Sequence, residues 1–136
     1  MATETFQIEV VTPDHTVFSE AVRWAIIPGE AGDFQILPGH TPLLATLRIG
    51  LLTVDTGKGR RYLSIAGGFC EVMPDRTVVL ARAAEPAEDI DRARARAARE
   101  RAMQRLSEGD ASSIDFDRAR QALARAENRI RTEGMK

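Results

Sequence analysis

A single cysteine, Cys70, among 136 residues excludes an intrachain disulfide and fits a reducing compartment. Aromatic residues make up 5 % of the chain and the net charge is -1. A nucleic-acid module would bring a basic excess and clustered exposed rings, so that class is disfavoured. No apolar run approaches the roughly 20 residues of a membrane-spanning helix. The start, MATETFQIEV, lacks the basic end and apolar core of a leader. The expectation is a soluble chain that acts where it is made. Histidine is scarce as well: His15 and His40 fall in different loops. No Ser or Cys sits in a nucleophile motif, and no His/Cys/Asp spacing suggests a metal site. A phosphate loop of the form G-x-x-x-x-G-K-[ST] is missing too. The reading is a non-catalytic protein with no metal and no required cofactor.

Proline and glycine are unevenly spread, and that divides the chain. All six prolines lie at or before Pro86, and beyond it glycine occurs only at 109 and 134. The division predicts two domains, residues 1–86 and 87–136. In the first, FQIEVV alternates with Phe6, Ile8 and Val10 on one face, and AVRWAII with Val22, Trp24 and Ile26 on one face. IGLLTV, RYLSIA, FCEVM and TVVLAR follow, separated by TGKGR, GG and PDR. Short alternating runs between turn signals predict a β-sandwich or barrel with one buried face per strand. Gly67–Gly68 suggests a bulge or close backbone approach. Cys70 reads as a small core residue, and Trp24 as core or interface.

The second part is rich in Ala and Arg and predicts two helices, about Ile90 to Leu106 and Ile114 to Arg131, broken by SEGDASS. Ser112 with Asp115 resembles a capping box, and Glu88/Arg92 and Glu127/Arg131 have the favourable i,i+4 order. The short link makes the helices antiparallel neighbours. Their apolar side is mostly alanine: Ala93, Ala97, Ala119, Ala122 and Ala126, with Ile90, Leu106, Leu123 and Ile130 as the larger members. Alanine favours helix but buries little area. The pattern fits both an ordinary, marginally packed hairpin and one that undocks. Arginines also form stripes, Arg94, Arg101 and Arg105 on the first helix and Arg118, Arg125 and Arg129 on the second. They read either as solvated faces or as groups that converge on a polyanion.

Taken together, EVVTPDHTVFS, PGEAGDFQILPGHTPLLATLRIG, LSIAGGFCEVMPDRTVVLA and AAEPAEDIDRARARAARERAMQRL resemble the ε subunits of bacterial F-type ATP synthases along essentially the whole chain. The resemblance implies an α+β fold, an N-terminal β-sandwich followed by a C-terminal antiparallel two-helix hairpin. It implies a rotor role on the central stalk, bound to the γ subunit and touching the c-ring. Such a subunit couples rotation to ATP synthesis, and its C-terminal helices restrain ATP hydrolysis at the α and β subunits. The location implied is peripheral, on the cytoplasmic side of a bacterial plasma membrane, with membrane contact only through the complex. Asp33 and His40 match positions of c-ring contact, in a loop that Pro38 and Pro42 stiffen. The alternative for both is satisfaction of local backbone groups. The run IDRARA matches an ATP-binding motif of some relatives at Ile90, Asp91, Arg94 and Ala95, with further arginines at Arg101, Arg125 and Arg129. The resemblance thus implies regulatory ATP at the hairpin. A free-standing nucleotide sensor is the competing class.

Overall fold

Strand β1 (Phe6–Val11) buries Phe6, Ile8 and Val10, as its alternation predicts. It pairs antiparallel with β2 (Thr16–Val22) and parallel with β7 (Arg76–Ala81). The computed structural model describes residues 4–109 and 114–136. The remaining strands are β3 (Trp24–Gly29), β4 (Gly32–Ile36), β5 (Leu43–Asp55), β6 (Arg60–Val72) and the short β8 (Ala84–Pro86). Their order is β2-β1-β7-β6-β5-β3-β4, with β8 beside β6. The 13-residue strands β5 and β6 pair along their whole length. One end of this ribbon joins β7 and the other joins β3 and β8. The ribbon thus belongs to both layers of the sandwich. One cluster fills the space between them, including Ile8, Ile27, Leu52, Leu63, Ile65, Cys70 and Val79.

Three expectations in this half need correction. The Val22/Trp24/Ile26 face does not exist, because the chain bends at Arg23, whose N–H donates to Asp55 O at 2.7 Å. The bend resets the period of two, so β3 buries Ala25 and Ile27 while Trp24 and Ile26 are half-buried. Trp24 instead stacks under the Arg60 guanidinium, 5.2 Å from its ring centre. The stretch GDFQILPGH is a loop only from Leu37, because Gly32–Ile36 forms β4 against β3. Nor does Gly67–Gly68 separate two strands, since β6 runs through it. The close approach expected there is real: a Cβ on Gly68 (φ 129°) would lie 2.0 Å from Leu80 O.

After β8 a 3-10 turn, Ala87–Asp89, leads to α1 (Arg92–Glu108), and α2 (Ile114–Glu133) returns. Asp91 caps α1, its carboxylate accepting from the Arg94 N–H at 3.1 Å. Helix α1 turns Ala95 and Ala102 inward, while Ala93 and Ala97 are exposed. The seam on α2 is as expected, with Ala119 and Ala126 buried and Ala122, Leu123 and Ile130 partly so. Glu88 and Arg92 do not pair with each other; Glu88 meets Arg61 at 3.2 Å and Arg92 meets Glu133 at 2.6 Å. The capping box at Ser112 lies outside the described residues.

Candidate functional site

Helix α2 lies over the β5–β6 ribbon and is fastened there by polar groups. Asn128, 8 % exposed, donates through Nδ2 to Gly50 O at 2.8 Å and to Ser64 Oγ at 3.1 Å. Gly50 itself is fixed by its neighbours in the sandwich, since a Cβ on it would sit 2.6 Å from Pro28 Cβ and 2.7 Å from an Arg48 nitrogen. One turn on, the buried Thr132 hydroxyl donates to Asn128 O at 2.7 Å. Arg129 grips both carboxylate oxygens of Glu85, at 2.6 and 3.3 Å. At the far end Arg92, with Lys136 assisting, holds the Glu133 carboxyl below the usual carboxylate range. None of Asn128, Thr132 or Glu85 stood out in the sequence. The signal was there: Asn128 is the chain's single asparagine, set in a helix of good helix formers.

Beside this latch is a cleft of about 310 Å³, walled by Ser64 and Glu85 of the sandwich, Ala98 of α1, and Ala122, Arg125 and Arg129 of α2. Of the residues assigned to ATP by resemblance, Arg125 and Arg129 line it. Arg94 and Arg101 are exposed on α1 and are not among the lining residues. Ile90 and Ala95 are buried, and the Asp91 carboxylate is engaged as the helix cap. The Arg129 charge is already matched by Glu85. Among the described residues Arg125 is the one guanidinium of the cleft without an ion-pair partner, and alanines, Ser64 and Ile49 complete the lining.

Asp33 of β4 and His40 of the loop after it are met locally. Asp33 forms an ion pair with Arg48, the Asp33 side chain being 47 % exposed and that of Arg48 38 %. The Nδ1–H of His40 donates to Thr41 O at 2.6 Å. Both side chains keep surface open to a partner, His40 less so than Asp33.

The sandwich has one bare apolar face. Cross-strand pairing sets Thr46, Phe69, Leu80 and Val11 in one row across β5, β6, β7 and β1. Phe69 is 53 % exposed and Leu80 52 %, while Leu44, two residues from Thr46 on the same side, is 71 % exposed. Leu37, Leu43 and Met73 are further exposed apolar side chains of the sandwich half. A protein that works alone rarely leaves so many large side chains together in water. Among the described residues no group of three or more His, Cys, Asp or Glu could hold a metal ion, and no helix is long and apolar enough to cross a membrane.

Family profiles match both halves of the chain. Residues 5–87 match the β-sandwich domain of the ATP synthase delta/epsilon chain, and residues 88–133 match the long α-helix domain of the same chain. The ATP synthase epsilon chain of Syntrophobacter fumaroxidans is 44 % identical over 128 residues, 94 % of this chain and 95 % of that one. The epsilon chain of Bacillus cytotoxicus is 43 % identical over 133 residues, covering 98 % and 99 %. Among solved structures, a chain of the Euglena gracilis mitochondrial ATP synthase (OSCP/F1/c-ring) superposes with a TM-score of 0.80 at 23 % identity, over 94 % of this chain and 81 % of that one.

Proposed function

This chain belongs to the ATP synthase delta/epsilon chain family, and from that membership we propose that it is a non-catalytic rotor subunit of a proton-translocating F-type ATP synthase. The sandwich binds the γ subunit through its bare apolar face and meets the c-ring through Asp33 of β4 and His40 of the loop that follows it. The observation that carries the reading is the row Phe69–Leu80–Val11 with Leu44, a surface suited to permanent burial against a partner. It also weighs against a free-standing nucleotide sensor, which would keep that face in water. The chain sits peripherally on the cytoplasmic side of the bacterial plasma membrane, held there by the complex.

The hairpin is the regulatory half. Released from the sandwich, its basic helices reach the α and β subunits and restrain ATP hydrolysis. ATP in the cleft beside Arg125 and Arg129 keeps the helices folded, because a ligand that prefers the docked state shifts the equilibrium toward it. Reconstitution with γ and the catalytic subunits tests both parts. Phe69→Glu with Leu80→Glu is expected to abolish co-purification with γ while thermal unfolding of the isolated chain stays cooperative. Ending the chain at residue 87 is expected to keep γ binding and remove the restraint on hydrolysis. Undiminished γ binding by the double variant overturns the docking face, and unchanged restraint overturns the role of the hairpin.

A further inference from the structure

Two charged residues four positions apart take opposite sides. Glu88, in the 3-10 turn, points back to the sandwich and meets Arg61 of β6 at 3.2 Å. Arg92, at the start of α1, turns to the end of α2 and meets Glu133 at 2.6 Å. On one continuous helix they would face each other as an i,i+4 pair and stiffen the passage between the halves. Here they part, and a border runs between them.

Arg61 holds the near side of that border. It lies on the side of β6 that carries Leu63 and Ile65 into the core. Its guanidinium is 5.5 Å from the centre of the buried Phe18 ring and also meets Glu20 of β2 at 3.4 Å. One side chain thus ties together β6, β2 and the turn. The turn has other attachments to the sandwich. The strand before it, β8, is paired to β6 as far as Pro86, and Ala87 is fully buried where the turn packs against β6 and α2.

The far side begins at Asp91, which already belongs to α1. Its carboxylate caps the helix and its carbonyl accepts from the Ala95 N–H at 3.0 Å. Between the two sides stands Ile90. Its N–H closes the turn on Ala87 O at 3.3 Å, and from there the backbone is extended, with ψ 124° at Ile90 and φ -82° at Asp91. The Ile90 side chain is buried while the hairpin is docked, so packing locks this step.

We propose that the turn Ala87–Asp89 stays on the sandwich when the hairpin leaves, that Arg61 is the clamp that keeps it there, and that the arm swings about the step from Ile90 to Asp91. This pivot rests on the release of the hairpin proposed above, and it says where the arm is rooted. A fixed root gives the released helices one reach. A root that slipped back to β8 would lengthen the linker and spread the helices over many positions, at an entropic cost to any contact they make.

Crosslinking in the complex reconstituted with γ and the catalytic subunits tests it. Cys70 is buried and slow to react, so it stays out of the chemistry. Arg61→Cys with Glu88→Cys, left unlinked, is expected to restrain hydrolysis severalfold less than the wild type while keeping γ binding. A short bis-maleimide between the two cysteines replaces the clamp and should restore the restraint. A disulfide between Ser64→Cys and Asn128→Cys ties α2 to the ribbon instead, and should abolish the restraint until it is reduced. In the isolated chain Arg61→Gln should speed amide exchange at Glu88, Asp89 and Ile90 and leave α2 at wild-type rates. Restraint that is lost on linking residues 61 and 88 would mean that the turn leaves the sandwich with the arm. Wild-type restraint and wild-type exchange in Arg61→Gln would mean that nothing depends on the clamp. Either result overturns the pivot. Restraint that survives the disulfide between residues 64 and 128 would show instead that the hairpin acts without release, and the pivot falls together with the reading beneath it.

Discussion

The sandwich core is built from Ile8, Val10, Leu52, Leu63 and Ile65, all fully buried, whereas the hairpin seam is built from Ala95, Ala102, Ala119 and Ala126. Burying a Leu or Ile side chain contributes about 1.5–3 kcal/mol, and a single methyl well under half of that. The sandwich therefore holds itself, and the hairpin depends on what it is laid against. Its position is set by directed polar groups, Asn128 on Gly50 and Ser64 and Arg129 on Glu85, rather than by apolar area. Hydrogen bonds of this kind exchange readily with water once the surfaces part, so they specify one docked geometry without making it permanent. A fixed platform and a releasable arm is the division of labour that the proposed restraint of hydrolysis would use.

The largest effect is expected from the platform. Leu52→Ala empties a fully buried position between the layers and should cost about 2–5 kcal/mol. Helices α1 and α2 should lose protection in the same transition, because the backbone that receives Asn128 belongs to the same strand as Leu52. Hydrogen exchange read across both halves checks this. A hairpin that stayed protected while the strands opened would make it the independent half and reverse the comparison.

A smaller and more local effect is expected from the latch. Asn128→Ala leaves Gly50 O and Ser64 Oγ without their donor beneath α2, at a cost of about 1–3 kcal/mol. The loss should appear as faster amide exchange in the helices alone. Cys70 supplies the control: burial pushes its thiol up to about 12, so in the folded sandwich it stays protonated and slow to alkylate at neutral pH. Its labelling rate should match that of the wild type in Asn128→Ala and rise in Leu52→Ala. Faster labelling in Asn128→Ala would mean that the two halves open as one.

How far the sequence discloses this division differs between the halves. Phe6, Ile8 and Val10 announce their strand because a period of two needs no knowledge of the partner strands. The face across Val22 and Trp24 is not legible in the sequence because a bend at Arg23, pinned by the distant Asp55 O, resets the alternation. Sequence alone does not separate Ala95 and Ala102 from Ala93 and Ala97, because a helix made of Ala and Arg has alanine on every side. In such a helix the packed face is decided by what it meets. Asn128 and Thr132 stay hidden for the opposite reason, since polar side chains in a basic helix read as solvated until the ribbon beneath them is known. At the loop, the stiffness around His40 was legible from Pro38 and Pro42, but the Arg48 that engages Asp33 lies fifteen positions away and emerges only from strand pairing.

The smallest effect concerns pH at the free end of the arm. Arg92 holds the Glu133 carboxyl below its ordinary range, so the folded hairpin keeps that group ionised to lower pH than the unfolded chain does. The sign follows: the pair contributes fully above the ordinary glutamate value of about 4.3, and the contribution disappears as pH falls through the lowered folded value. The Arg92 side chain is 44 % exposed, so water screens the pair and keeps the effect small. Amide exchange at the C-terminal turn of α2, followed from pH 7 into the acid range, should stay level and then rise, and added salt should blunt the rise. Glu133→Gln removes the titrating group, so that turn should already be less protected at neutral pH and should change less on acidification. Identical profiles for the two proteins would leave Asn128 and Arg129 as the whole of the latch, with nothing at the end of the arm for pH to act on.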